Sequence, residues 1–175
     1  MTFSVRRLAP GDDRASFRSG NADLDRFFAR YAGQNQFRHH LGTSYIAVDD
    51  AGVIAGYATV AVSELAPQAL RRKGSKLPTY PLPVLRLARL AVDERFKGRG
   101  AGVLLISAVF EIAAQISAEA GCVGVVVDAK PEAVAFYLKL GFEPLEVVAG
   151  ELGDRPQPTA MFLPLDEWKR AAGSR

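Results

Sequence analysis

Cysteine is almost missing from this chain: its 175 residues hold one, Cys122. A single thiol excludes an intrachain disulfide and suits a reducing compartment. Cys122 stands in an apolar, strand-like pattern, so a buried and inert thiol is expected. Histidine is nearly as scarce. His39 and His40 are adjacent, without metal-ligand spacing, so no metal centre is expected. Residues 2–7 lack the apolar stretch of a secretory signal, and no run of about 18 apolar residues stands out. Neither export nor a membrane-spanning helix is therefore expected, and the expected location is the cytoplasm. Charge imbalance is also small. The net charge is +3 and the pI about 9.2, compatible with an anionic ligand or a nucleic acid but diagnostic of neither. Internal repeats, low-complexity segments and a dedicated RNA module with a ribonucleoprotein aromatic motif are absent.

What is present is enough apolar material for a core, 49% of residues, in a length typical of one domain, here taken as 1–175. Phe3 to Leu8 alternates and reads as an edge strand. Asn21 can cap a helix running roughly Ala22 to Gly33. Thr43 to Val48 and Val53 to Val62 read as strands, joined by the hairpin signal Asp49-Asp50-Ala51-Gly52. Glu64 to Pro83 is rich in proline and reads as a short helix followed by an extended loop. Leu85 to Val92 is a strand. Ala101 to Ala120 has apolar residues at helical spacing and a stop at Gly121. Cys122 to Ala129 reads as a strand buried on both faces. Pro131 opens a helix over about Glu132 to Leu140, stopped by Gly141. Phe142 to Val148 and Thr159 to Leu163 read as a closing strand pair, and Asp166 to Ala172 as a terminal helix. This order predicts a mixed α/β sheet.

The most informative stretch joins a strand to the longest helix: Asp93-Glu94-Arg95-Phe96-Lys97-Gly98-Arg99-Gly100-Ala101-Gly102-Val103. Glycines permit φ > 0 and close approach of the backbone, and the first turn of a helix offers unpaired N–H groups at the positive end of its dipole. That combination binds pyrophosphate. A Walker loop would need Lys-Ser or Lys-Thr after its last glycine, but Ala101-Gly102-Val103 follows Gly100. A dinucleotide fingerprint needs Gly-x-Gly-x-x-Gly, and Gly98-x-Gly100-x-Gly102 has the wrong spacing. Asp128, ending the next strand, is the one point in favour of that alternative.

Arg95 to Gly100 fits Arg/Gln-x-x-Gly-x-Gly/Ala, and Lys97 to Gly102 fits it with Lys in first place. This resembles the motif with which GCN5-related N-acetyltransferases (GNATs) cradle the pyrophosphate of acetyl-CoA. Downstream, Phe136-Tyr137-Leu138-Lys139-Leu140-Gly141-Phe142 resembles the FY-x-x-x-GF motif of the same family. Phe17 to Asp25 resembles the F-x-x-G-N-x-x-LD element of GNAT toxins from bacterial toxin–antitoxin modules. Gly56-Tyr57, Leu77 to Pro83 and Arg89 to Asp93 also resemble that branch. The resemblance implies a mostly antiparallel sheet of about six to seven strands flanked by helices. It implies that Leu90, Ala91 and Val92 face the thioester and pantetheine. It further implies that Lys97, Gly98, Arg99, Gly100, Ala101, Gly102 and Val103 hold the pyrophosphate. Lys97 would donate as a point charge rather than a planar fork. Phe136 would flank the cofactor, and Tyr137 would be the general acid toward the departing CoA thiolate. The cofactor implied is acetyl-CoA, without a metal.

An unperturbed tyrosine has a pKa of about 10 and a thiol about 8.5, so full proton transfer is uphill by roughly 2 kcal/mol. Tyr137 therefore acts by hydrogen-bonding the developing charge, or through a lowered pKa. Asp93, Asp128, His39 and His40 are available as a general base, but no motif assigns the role. Asp128 can instead cap the helix at Pro131, and Asp93 can support the loop. An α-amine, near 7.7–8.0, needs less help than a lysine near 10.4, which favours an acceptor such as aminoacyl-tRNA.

Arg71, Arg72, Lys73 and Lys76, with Arg6, Arg7, Arg14, Arg18, Arg86 and Arg89, could track an RNA backbone if they share one face. Arg95 and Arg99 are open to two readings, ligand charge or solvated surface. The resemblance implies as partners aminoacyl-tRNA, a ribbon-helix-helix antitoxin and a second copy of the chain, with no membrane. The alternatives are a housekeeping acetyltransferase of a small amine or protein N-terminus, and a non-catalytic CoA-binding module.

Overall fold

The computed structural model describes residues 1–70, 79–145 and 158–174. Seven strands form one sheet in the order β1-β2-β3-β4-β5-β7-β6: β1 Ser4–Arg7, β2 Thr43–Val48, β3 Ile54–Leu65, β4 Leu82–Val92, β5 Gly124–Ala129, β6 Glu143–Pro144 and β7 Thr159–Pro164. The pairs β1/β2, β2/β3, β5/β7 and β6/β7 are antiparallel. The helices are α1 Ala22–Arg26, α2 Ala101–Glu119, α3 Val134–Lys139 and α4 Leu165–Gly173. The mixed, mostly antiparallel sheet expected from the sequence is present, with strand β1 at its edge. The chain resolves into two compact units. One comprises Met1–Ala61 and Leu87–Glu111, the other Val62–Arg86 and Ile112–Arg175.

The first unit is organised by aromatics. Phe28 stacks on Tyr57 with centroids 4.2 Å apart, and Phe17 meets both rings edge-on at 5.1 and 5.5 Å. Each such pair adds about 0.5–1.5 kcal/mol beyond area burial. The Tyr57 hydroxyl is satisfied by the Leu24 carbonyl at 2.8 Å, and the Arg89 guanidinium lies 3.7 Å above the Phe27 ring. The Asp49–Gly52 turn forms as expected. Gly52 has φ +81°, and the Asp49 carboxylate accepts from the N–H groups of Ala51 and Val53.

Asn21 caps α1, accepting from the N–H groups of Asp23 and Leu24 at 3.1 Å. The helix does not stop at Gly33, however. It runs on through π-helical turns at Phe27–Tyr31 and Gln34–Arg38. Gly33 has ordinary helical dihedrals, and a Cβ there would lie 2.8 Å from the Arg14 guanidinium. That glycine makes room for Arg14, which donates to the Phe28 carbonyl at 3.3 Å, rather than ending a helix.

In the second unit, β5 pairs with β7 from Gly124↔Pro164 to Ala129↔Thr159. A Cβ at Gly124 would meet the Leu163 carbonyl and the Phe162 ring, so only glycine permits this approach. Leu65, Val84, Val126 and Phe162 form its core cluster. Gly121 ends α2 with φ +100° and its N–H on the Ile116 carbonyl. Cys122 is buried as expected, just before β5 rather than within it. Both β3 and β4 are longer than their sequence patterns indicate, and β4 includes Pro83, whose carbonyl accepts from the Val123 N–H. Residues 71–78 and 146–157, which carry the basic cluster and most of the turn-rich connection, lie outside the described residues.

Helix α2 is the one described helix that bears on a membrane span. By length and composition alone it is apolar enough to cross a membrane. Its buried positions Leu105, Ile106, Val109, Phe110 and Ala113 mark it as a core helix.

Candidate active site

Strand β4 delivers the chain to the glycine loop. Ala91 is buried, and Leu90 and Val92 are half-buried. Gly56 on β3 lies against this strand end, where a Cβ would come within 2.8 Å of the Ala91 carbonyl oxygen. Asp93 donates its N–H to the Ala55 carbonyl at 2.8 Å, a short 3-10 turn spans Glu94–Phe96, and α2 begins at Ala101. Gly98 and Gly100 have φ of +74° and +90°, and a Cβ on either would meet nothing within 4 Å. Their backbone needs glycine for its conformation. The space beside them is open.

The loop's own hydrogen bonds run from Phe96 N–H to Asp93, Arg99 N–H to Phe96 and Leu104 N–H to Gly100. The N–H groups of Lys97, Gly98, Gly100, Ala101, Gly102 and Val103 have no acceptor among the described residues. A set of free N–H donors at the start of a 19-residue helix, next to open space, fits a pyrophosphate. Lys97 and Arg99 are exposed at its rim.

The loop is held from behind by a carboxylate that the sequence reading gave no firm role. Asp93 is 1% exposed. It accepts from the Arg18 N–H (3.0 Å), the Arg95 N–H (3.0 Å), and Nε and a terminal nitrogen of Arg95 (2.8 and 3.0 Å). Burial by itself would push this carboxyl up. The Arg95 side chain and the two backbone donors outweigh it and bring the pKa down to about 2. Asp93 is therefore an ionised support, not a base. Arg95 is spent on Asp93, so of its two readings neither ligand charge nor simple solvation describes it.

Tyr137 sits in α3, which follows a 3-10 turn at Pro131–Ala133 and stops at Gly141 with φ +96°. Its ring is 4% exposed and packs edge-on against Phe136 and Phe142, at 5.2 and 5.3 Å. Phe142 is buried and Phe136 half-buried. The Tyr137 hydroxyl makes no hydrogen bond among the described residues, yet none of their side-chain polar atoms is both buried and unpaired. The hydroxyl therefore keeps a trace of contact with solvent although the residue as a whole is buried. Burial pushes its pKa up, which removes the alternative of an acidified tyrosine.

The other expected candidates are placed elsewhere. Asp128 pairs with Arg86 at 2.6 Å and does not cap the following helix, whose N-cap position is Lys130. His39 and His40 are exposed at the end of the π-helical segment, His40 with φ +53°. No group of three metal-ligating side chains occurs among the described residues. Several of the arginines that could track an RNA backbone have partners within the fold. Arg6 pairs with Asp12, Arg18 donates to the Ala15 and Phe17 carbonyls, and Arg14, Arg86 and Arg89 have the partners given above.

The chain itself is similar to known proteins. The family model for the acetyltransferase (GNAT) domain matches residues 40–144. The chain is 34% identical over 141 residues to a tRNA-acetylating toxin of Mycobacterium tuberculosis, covering 79% of this chain and 82% of the relative. Among solved structures it is similar to AtaT complexed with acetyl-methionyl-tRNAfMet, with a TM-score of 0.83 and 25% identity over 98% of this chain and 99% of that one. It is similar also to AtaTR bound with acetyl-CoA, with a TM-score of 0.76 and 25% identity over 97% and 98%. The chain therefore belongs to the GNAT acetyltransferase family and is an N-acetyltransferase.

Proposed function

We propose that this chain is the toxin of a toxin–antitoxin module and that it acetylates the α-amine of an aminoacyl-tRNA with acetyl-CoA. Residues 1–175 act as a single acetyltransferase domain in the cytoplasm, with a ribbon-helix-helix protein as antitoxin. The similarity to a tRNA-acetylating toxin over four-fifths of both chains carries this reading. Lys97 to Val103 hold the donor's pyrophosphate through free N–H groups. Leu90, Ala91 and Val92 line the pantetheine and thioester, and Phe136 flanks the cofactor.

In the reaction the neutral amine attacks the thioester carbonyl. The C–N bond forms, the C–S bond breaks, and sulfur leaves with the electron pair. Tyr137 donates a hydrogen bond to that sulfur. Its raised pKa keeps the proton on the phenol, so it stabilises the thiolate without ionising. The nitrogen loses its extra proton to solvent. This suits an α-amine, largely neutral near pH 8, and fits the absence of a spare base among Asp93, Asp128, His39 and His40.

Expression without antitoxin tests the proposal. Growth arrest with acetylated aminoacyl-tRNA is the expected outcome. Normal growth with unmodified tRNA from an expressed, folded chain would sink it.

A further inference from the structure

We propose that Asp93 and the Arg18–Asn21 segment position the pyrophosphate cradle, so that donor affinity depends on residues that never touch the donor. The inference rests on reading the loop as the acetyl-CoA site. It starts from a two-way backbone link across 75 positions of sequence. The Arg18 N–H donates to the Asp93 carboxylate at 3.0 Å, and the Arg18 carbonyl accepts from the Glu94 N–H at 2.8 Å. One residue of the N-terminal segment, Arg18, thus grips through its backbone both residues at which strand becomes loop.

The following residues extend the contact. Gly20 has φ +88°, and a Cβ there would lie 2.5 Å from Glu94 Oε1 and 3.6 Å from Lys97 Nζ. The side chains of two loop residues therefore rest against Gly20. The segment is itself fixed. Ser19 donates through both N–H and hydroxyl to Asp25, at 2.9 and 2.5 Å, and Asn21 caps α1. Phe17 anchors the other end in the aromatic core.

The cradle needs such a support. Gly98 and Gly100 impose no side-chain contacts of their own, and the donors that face the ligand are unpaired. A loop of this kind takes its position from its two ends. Helix α2 fixes one end, and Asp93 with Arg18 fixes the other. Asp93 is the point at which the Arg95 fork, the Arg18 N–H and the strand end meet, and its buried negative charge orders all of them. The F-x-x-G-N-x-x-LD element thereby gains a physical role: Phe17 anchors, Gly20 admits the loop, Asn21 and Asp25 hold the segment's shape.

The test compares CoA with pantetheine, which lacks the pyrophosphate, by isothermal titration of the whole chain. Asp93→Asn is expected to weaken CoA binding about tenfold. It should shift pantetheine binding by less than about twofold. Gly20→Ala, 73 positions away from Asp93 in the chain, is expected to act in the same sense by about threefold, because its φ favours glycine. Should Asp93→Asn not fold, Arg95→Gln, which leaves the Arg18 bond in place, carries the test with Gly20→Ala. Equal weakening of both ligands would show a general loss of structure and overturn the inference, as would unchanged CoA affinity in the variants. A wild-type chain that binds pantetheine but gains nothing from the pyrophosphate would instead remove the reading of the loop on which the inference stands.

Discussion

The loop after β4 and the tyrosine of α3 solve opposite problems. The loop presents main-chain donors. Its free atoms are N–H groups that any residue except proline could supply, so its identity lies in backbone shape: two positive-φ glycines, a helix start, and a buried carboxylate behind. The tyrosine presents one oxygen. Its backbone is ordinary helix, and its place is set by a buried ring packed edge-on against Phe136 and Phe142. A main-chain site tolerates many side-chain changes and few conformational ones. A single-atom site shows the reverse pattern.

Removing the oxygen should give the largest effect. Tyr137→Phe keeps the packing and is expected to lower kcat by about 10²–10⁴ with little change in KM for acetyl-CoA, measured by steady-state kinetics. A variant retaining full turnover would take tyrosine out of the mechanism and reduce the second site to packing. Gly100→Ala attacks the first site in the complementary way. The methyl group has space but the φ of +90° disfavours it, and KM for acetyl-CoA is expected to rise about tenfold with kcat within a few-fold. If kcat fell and KM held, the division of labour between the two sites would be wrong.

The two regions also differ in their response to pH. Asp93 holds its proton only near pH 2 in the folded chain and near 3.9 when unfolded. Its contribution to stability is complete above about pH 4 and is lost as pH falls toward 2, by about 2–3 kcal/mol. Denaturant unfolding between pH 2 and 5 should show this slope in the wild type and a smaller one in Asp93→Asn, where Asp12, lowered by Arg6, still contributes. Tyr137, with its pKa raised, contributes nothing to that slope. Its neutral form supports the fold fully below pH 10, and that support declines as pH rises further. The smallest expected change is Asn21→Ala, which removes the α1 cap and about 1 kcal/mol of stability by thermal or chemical unfolding. Because Asn21 belongs to the segment that braces the loop, KM for acetyl-CoA should rise slightly with it while kcat per folded molecule holds.

The glycine loop could be read from sequence because its information is local. Spacing of Gly98 and Gly100 before an apolar helical run specifies a positive-φ turn ahead of a helix start. For the same reason Asn21, Gly52, Gly121 and Gly141 were all legible as caps or turns. Gly33 was not, because its dihedrals are those of ordinary helix and its close neighbour is Arg14, a partner 19 positions earlier. Whether the arginines share one face was not legible, because sequence shows charge but not partners. In the fold Arg6 finds Asp12, Arg14 finds a helix carbonyl and Arg89 finds an aromatic face. Tyr137 could be located but its proton affinity could not, since that depends on how deeply its ring is packed.

The grip of Arg18 on Asp93 and Glu94 has a consequence for how the enzyme comes into being. The bracing peptide leaves the ribosome long before the loop that it braces, and it must wait for 75 further residues. Closing so long a span is a late and entropically costly event, and long-range contacts of this kind slow folding. The nascent chain therefore has its N-terminal anchor first and its donor site late. Acetyl transfer is an ability that the chain gains only after the strand end, the loop and α2 have all been made.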